Sequence, residues 1–183
     1  MRIVITGGAG FLGRKLATAL LARGTLSDAR GSARAIERVT LVDVAAAPAG
    51  TDPRVRVIAG DLADPALVEA VLEGGADTVF HLAAVVSGEA ETSFDLGWRV
   101  NVDATRQLLE RCRALASPPK FVFTSSCAVF GGPLPDPVPD SQALWPQSSY
   151  GSPDRWPRHR SAARAGCRSR KTRRPCWLCP AAR

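Results

Sequence analysis

No apolar run in this 183-residue chain approaches the ~20 residues that a helix needs to cross a bilayer, so a membrane-spanning helix is excluded. Only Met1 and Arg2 precede the first β-branched run. That leaves no space for a secretory leader, and the expectation is a soluble, cytoplasmic protein with no membrane partner. Cysteine is sparse and odd in number: Cys112, Cys127, Cys167, Cys176 and Cys179. An odd set in an intracellular chain argues against a disulfide framework, and Cys112 and Cys127 read as ordinary buried thiols. Acidic residues almost vanish near the end. Ten of the 24 Lys and Arg but one of the 17 Asp and Glu follow Tyr150, so residues 1–150 carry 14 basic and 16 acidic groups. The net charge of +7 therefore belongs to the tail. It does not describe a nucleic-acid face on the folded part, and no specific nucleic-acid partner is expected.

What the chain does have is concentrated at its start, MRIVITGGAGFLG. Ile3, Val4 and Ile5 read as a buried strand. Gly7, Gly10 and Gly13 follow at three-residue spacing, and residues 11–21 carry apolar side chains at helical spacing. Strand, glycine turn and helix together make a dinucleotide-site hypothesis out of a glycine pattern that alone would be an ordinary loop. Gly7 permits the turn, Gly10 lets a pyrophosphate approach the backbone, and Gly13 allows close packing of helix on strand. The helix N-terminus then offers N–H groups to phosphate oxygens.

Further along, residues 23–38 are polar and read as a long connection. Residues 39–44, VTLVDV, read as a second strand ending on Asp43. A carboxylate there can accept from both hydroxyls of an adenosine ribose and repels a 2′-phosphate, which favours NAD over NADP. Asp43 lies 30 residues after Gly13, beyond the usual ~20, and the polar insertion accounts for the difference. A strand-end turn residue is the alternative reading of Asp43. Residues 55–59 read as a third strand, followed by Asp61 and Leu62; Asp61 faces the adenine edge or caps the next turn. Asp64 and Pro65 open a helix to about residue 73. Residues 77–81 form a fourth strand running into Leu82, Ala83 and Ala84, small enough for a nicotinamide ribose to lie on the backbone, or simply packed. A polar loop, 87–95, precedes a long helix over 96–116 that contains Asn101. Residues 121–124 form a fifth strand, followed by Ser125 and Ser126. The fold class is thus α/β, a doubly wound parallel sheet of the Rossmann type, with candidate residues collected at the carboxyl ends of its strands. Residues 131–149 are rich in proline and read as an active-site loop running to Tyr150.

TGGAGFLG, the LVD strand end, GDL, HLAA, VNVDAT, TSSCAVFGG and SSYG, in that order over residues 1–152, resemble the extended short-chain dehydrogenase/reductase family, which includes sugar epimerases and dehydratases. Residues 81–105 and the VFGGPLPDPVPD stretch look most like its D-erythronate-oxidising branch, which acts at C2 of a four-carbon sugar acid with NAD. The resemblance implies a role for each matching position. Gly7, Gly10 and Gly13 would cradle the pyrophosphate, with backbone N–H groups from Phe11 and Leu12. Asp43 would hold the adenosine ribose, and Asp61 and Leu62 would flank adenine. Leu82, Ala83 and Ala84 would line the cofactor with Asn101 below it. Ser126, with Ser125 as its neighbour, aligns with the catalytic serine and Tyr150 with the catalytic tyrosine. No metal is implied.

The chain departs from this pattern four residues after Tyr150, where the family's lysine is replaced by Asp154. A free tyrosine titrates near ~10, and a neighbouring carboxylate disfavours its phenolate further. Little or no dehydrogenase turnover is expected. Pro153 and Pro157 break the helix that carries the tyrosine in the family, which also argues against the family's helix-paired dimer. From residue 152 the chain has no apolar periodicity and reads as a disordered, basic, non-homologous tail, of the kind an out-of-frame reading of a GC-rich gene produces. His159, Cys167, Cys176 and Cys179 are suitable zinc ligands, but their spacing matches no finger and no metal site is assigned. Residues 1–151 are expected to form the NAD-binding domain, taking a small sugar-acid substrate. The alternatives are a catalytically inactive NAD-binding fragment, a sugar-nucleotide epimerase or dehydratase, and a basic nucleic-acid-binding module.

Overall fold

The structure, a computed structural model, describes residues 1–28, 30–47 and 51–152. Asp154 and the candidate zinc ligands lie outside the described residues. Among the described residues two compact units emerge, one made of Met1–Val85 and Arg99–Thr124, the other of Val86–Trp98 together with residues 125–152.

The first unit is built on a five-stranded sheet. Its strands are β1 (Arg2–Thr6), β4 (Arg38–Asp43), β5 (Val55–Ala59), β6 (Thr78–His81) and β7 (Lys120–Phe123). The order is β5-β4-β1-β6-β7, and every pairing is parallel. Starting at β1, the chain adds strands first on one side and then crosses to the other. This reversal beside the first strand is the hallmark of the doubly wound arrangement. β1 is central because its side chains serve both faces: Val4 packs into one cluster, with Val42, Val68, Val71, Val79 and Leu108. Ile3 and Ile5 pack into the other, with Ala17, Leu20, Val39 and Leu41. Strand periodicity of two makes that division automatic. The first cluster is covered by α2 (Pro65–Leu72) and α5 (Thr105–Ala114), the second by α1 (Phe11–Arg23). α2 begins as its sequence predicts, with Asp64 accepting from the Ala66 N–H and Pro65 in the first turn.

Four expectations need correction. Residues 23–38 are not a plain connection but contain the antiparallel hairpin of β2 (Thr25–Ser27) and β3 (Ala33–Ala35). Asp28 builds its turn by accepting from the N–H groups of Arg30 and Ser32 at 2.8 and 3.0 Å. The strands are three residues long, Thr-Leu-Ser and Ala-Arg-Ala, too short for any alternation to announce them. The expected loop over 87–95 forms α3 (Ser87–Thr92) and the start of α4 (Phe94–Trp98). These helices are specified by close contact rather than by an apolar stripe: a Cβ on Gly97 would meet the Ala90 Cβ at 2.9 Å. The expected continuous helix over 96–116 is instead α4, a π-helical stretch over Arg99–Ala104 and then α5. Finally, Cys112 is buried as expected but Cys127 is exposed, because it opens the short 3-10 turn Cys127–Val129 rather than entering the sheet. Among the described residues no helix is long and apolar enough to cross a membrane.

Candidate functional site

In the first unit, the parallel register brings four strand ends to one edge. Thr6 aligns with Val42 and with His81, and Asp43 with Ala59. The ladder continues past the strands: the Gly8 N–H donates to the Val42 carbonyl at 3.0 Å, the Leu82 N–H to that of Thr6 at 3.2 Å and the Gly60 N–H to that of Asp43 at 2.9 Å. The turn after β1, Asp43, Asp61 with Leu62, and Leu82–Ala84 therefore share an edge because of sheet pairing, not sequence proximity.

The glycine turn is as crowded as its sequence implies. Gly7 has φ +70 and backs onto the main chain after β6, where an added Cβ would lie 2.9 Å from the Ala83 nitrogen. At Gly13 a Cβ would lie 2.2 Å from the Gly7 carbonyl oxygen, so any side chain would push α1 off the strand end. Gly8, which carries no role in the motif reading, is equally constrained, with its virtual Cβ 2.8 Å from the Leu41 Cβ. Gly10 is different: it is exposed, and the Gly7 oxygen at 3.2 Å is all a Cβ there would meet. It caps α1 with no side-chain hydrogen bond, and no acidic residue lies in the first turn. The N–H end of α1 at Phe11 and Leu12 is thus neither capped by a side chain nor screened by a carboxylate of its own turn, an arrangement that favours an anion.

Asp43 ties this turn to β4. One carboxylate oxygen accepts from the Ala9 N–H at 3.0 Å and the other from the Ala45 N–H at 3.3 Å. A carboxylate offers about four acceptor sites, so capacity remains for ribose hydroxyls. Asp61 accepts from the Ala63 N–H at 2.8 Å, which is a turn-capping role, and pairs with Arg99 at 2.6 Å. Leu62 is buried in the first core cluster. Ala83 is fixed through its N–H, which donates to the Thr6 hydroxyl at 3.2 Å. Asn101, buried in the π-helical stretch, pairs with both main-chain groups of Val85: its side-chain oxygen accepts from the Val85 N–H at 2.8 Å and its amide donates to the Val85 carbonyl at 2.9 Å. Asn101 thereby extends β6 by one pseudo-strand contact and holds the Leu82–Val85 segment. Single-turn π insertions often re-aim a side chain in this way.

Behind the edge lies a polar chain that motif reading misses. His81 is fully buried, with Nδ1 2.6 Å from the Thr6 hydroxyl and Nε2 2.8 Å from the Thr105 hydroxyl. Burial drives its pKa down to about 4, so the ring is neutral and both nitrogens are satisfied by hydroxyls. The chain Thr105–His81–Thr6–Ala83 links α5 to the backbone that lines the edge. A histidine at the end of an apolar strand was the available signal.

In the second unit, Ser126 caps the 3-10 turn by accepting from the Ala128 N–H at 3.1 Å. Tyr150 lies in a turn, and its N–H donates to Glu91 of α3 at 2.8 Å. The residue after it is wedged: a Cβ on Gly151 would sit 2.1 Å from the Ala128 oxygen. The segments bearing Ser126 and Tyr150 are therefore brought together across Gly151 and Ala128. Ser125 precedes this pair and is exposed.

A parallel sheet reversing beside its first strand, with a glycine turn and a strand-end carboxylate at the reversal, defines a Rossmann-type α/β domain. Residues 3–153 match the NAD dependent epimerase/dehydratase family, and the chain belongs to that family. It is 58% identical to D-erythronate dehydrogenase of Cupriavidus necator over 82% of this chain and 46% of that protein. The crystal structure of the nucleoside-diphosphate-sugar epimerase from Agrobacterium tumefaciens is 45% identical, with a TM-score of 0.76 over 85% of this chain and 46% of the other. UDP-glucose 4-epimerase from Brucella ovis in complex with NAD is 27% identical, with a TM-score of 0.68 over 84% of this chain and 44% of the other. The chain spans about half the length of the relatives it matches.

Proposed function

We propose that residues 1–151 are the NAD-binding domain of an oxidoreductase of the D-erythronate-oxidising type, that the protein works in the cytoplasm on a small sugar acid, and that its own turnover is impaired. The supporting observation is the joining of the glycine turn to the β4 carboxylate, the Ala9 N–H to Asp43 bond at 3.0 Å, in a chain 58% identical to a D-erythronate dehydrogenase. The residues fit the cofactor. Gly7 and Gly13 leave no space for side chains, Gly10 leaves the turn open, α1 presents its N–H end at Phe11 and Leu12, and Asp43 keeps acceptor capacity for ribose hydroxyls. When bound, NAD supplies the hydride acceptor. In this reading the Tyr150 phenolate oxygen takes the proton of the substrate C2 hydroxyl and becomes the neutral phenol, and Ser126 hydrogen-bonds the same substrate oxygen. Leu82, Ala83 and Ala84 give the cofactor a small-residue floor held by Thr6 and Asn101.

The impairment rests on Asp154. A carboxylate four residues after the tyrosine withdraws the positive charge that makes the phenol a usable base, and losing a positioned acid–base function costs roughly 10²–10⁴ in rate. Isothermal calorimetry on the full chain is expected to show NAD binding, with no measurable NAD reduction on D-erythronate. Absence of NAD association with folded protein sinks the cofactor reading. NAD reduction that Tyr150→Phe abolishes sinks the impairment.

A second reading, sugar-nucleotide epimerase chemistry, draws on the 45% identity to the Agrobacterium tumefaciens epimerase. NAD-dependent interconversion of a UDP-hexose without net NAD reduction would favour it over sugar-acid oxidation.

A further inference from the structure

We propose that Glu91 is the positioning residue for Tyr150: by accepting the main-chain N–H of Tyr150, its carboxylate seats the turn that carries the phenol. This rests on the reading of Tyr150 as the proton-accepting residue. Among the described residues Tyr150 stands in a turn rather than in a helix, so its backbone needs a partner from outside its own segment. Glu91 Oε1 provides it at 2.8 Å, across 59 residues of sequence.

Ser149, the residue before Tyr150, also favours the ionised form of the same carboxylate. The Tyr150 N–H donates to an acidic side chain, and hydrogen bonds to an ionised acceptor are roughly twice as strong as neutral ones. These interactions hold the Glu91 carboxyl below its ordinary range.

The base of the clamp is itself fixed. Ala90 is buried, and the Gly97 main chain sits so close to it that a Cβ would meet the Ala90 Cβ at 2.9 Å. On the far side of Tyr150, the Gly151 N–H donates to the Ser148 hydroxyl at 3.0 Å, and the Ser152 hydroxyl to the Ser148 carbonyl at 3.0 Å. Gly151 abuts the Ala128 oxygen, where a Cβ would lie at 2.1 Å. Glu91 on one side and Gly151 on the other thus fix the backbone from which the phenol projects. In this role Glu91 touches no reacting atom and acts only through Tyr150.

The chain contains a single tyrosine, which makes the test direct. Incorporating ¹⁵N-tyrosine gives one amide resonance, that of Tyr150. At neutral pH its proton is expected well downfield, as for an N–H donated to a carboxylate, and it should move upfield as pH falls through the carboxylate range. Glu91→Gln, which keeps an acceptor of the same shape, should lose that pH-dependent movement. Glu91→Ala should in addition speed amide exchange at Tyr150 several-fold. Glu89 and Asp95 are the neighbouring carboxylates on this segment. A movement that survives Glu91→Gln comes from another group and overturns the proposal, as does a wild-type resonance that does not move. Calorimetry with NAD on the same samples separates the two readings: loss of NAD binding in wild type, with the amide titration intact, defeats the cofactor reading and leaves the Glu91 clamp standing.

Discussion

The glycine turn after β1 and the turn around Tyr150 are both places where a glycine lets main chain meet main chain, yet they are secured by different means. The first is part of a ladder. Gly8 bonds to Val42, Leu82 to Thr6 and Gly60 to Asp43, and the strands beneath alternate between two apolar clusters. The second is secured by side chains reaching to backbone: Ser126 to Ala128, Ser148 to Gly151, and Glu91 to Tyr150. A ladder distributes strain across many residues that unfold together, whereas a set of local caps can open on its own.

Gly13→Ala should give the largest effect. Its Cβ would stand 2.2 Å from a carbonyl oxygen that the sheet does not allow to move, so a loss of global stability of about 3 kcal/mol is expected, the upper range for overpacking. Urea denaturation would read it directly. If Gly13→Ala unfolds at the wild-type midpoint, the turn is looser than described.

Next comes the pH dependence set by His81. Its folded pKa of about 4 lies below the ~6.5 of an unfolded histidine. Between those values the unfolded chain binds a proton that the native chain refuses, so stability is complete above pH 6.5 and declines as pH falls. Linkage places the loss by pH 5 on the order of 2 kcal/mol. Thermal melts across this range should show it, and His81→Gln should flatten the slope. A wild-type profile no steeper than that of the variant would remove His81 from the core argument.

Gly151→Ala tests the contrast itself. The clash is as severe as at Gly13, 2.1 Å to the Ala128 oxygen, but a locally capped turn can swing away, so a global cost of about 1 kcal/mol or less is expected. Equal denaturant midpoints for Gly13→Ala and Gly151→Ala would erase the distinction between the two turns.

The smallest energetic effect belongs to the cysteines. Burial pushes the Cys112 thiol up to about 12, and Cys127 is exposed. Brief alkylation followed by peptide mapping should modify Cys127 and spare Cys112, with no change in melting temperature. Comparable labelling of both would mean that α5 opens as readily as the 3-10 turn.

Much of the first turn was legible before any coordinates. Ile3–Val4–Ile5 reads as a buried strand, and the glycines at positions 7 and 13 read as places where main chain turns and packs closely. Asp64–Pro65 announced its helix through cap chemistry. What escaped reading lacked a local signature. The β2–β3 hairpin is short, and its cues are confined to its turn, Asp28 and the positive-φ Gly31. Residues 87–95 look like loop because α3 and the start of α4 carry no apolar stripe and meet through small residues, Gly97 against Ala90. The continuous helix expected over 96–116 overlooked the π-helical stretch, since no residue pattern marks the extra residue that lets Asn101 reach Val85.

The order of apolar and small residues along the chain was enough to establish the parallel α/β class, the glycine turn and the acid at the end of β4, because strand alternation and steric exclusion are local constraints carried by adjacent residues. The partners of His81, Asp61, Asn101 and Glu91 were decided only by the fold. Each of these polar groups could have been satisfied by many donors or acceptors, and which of them lay within 3 Å depended on strand register and helix packing joining positions 16 to 75 residues apart.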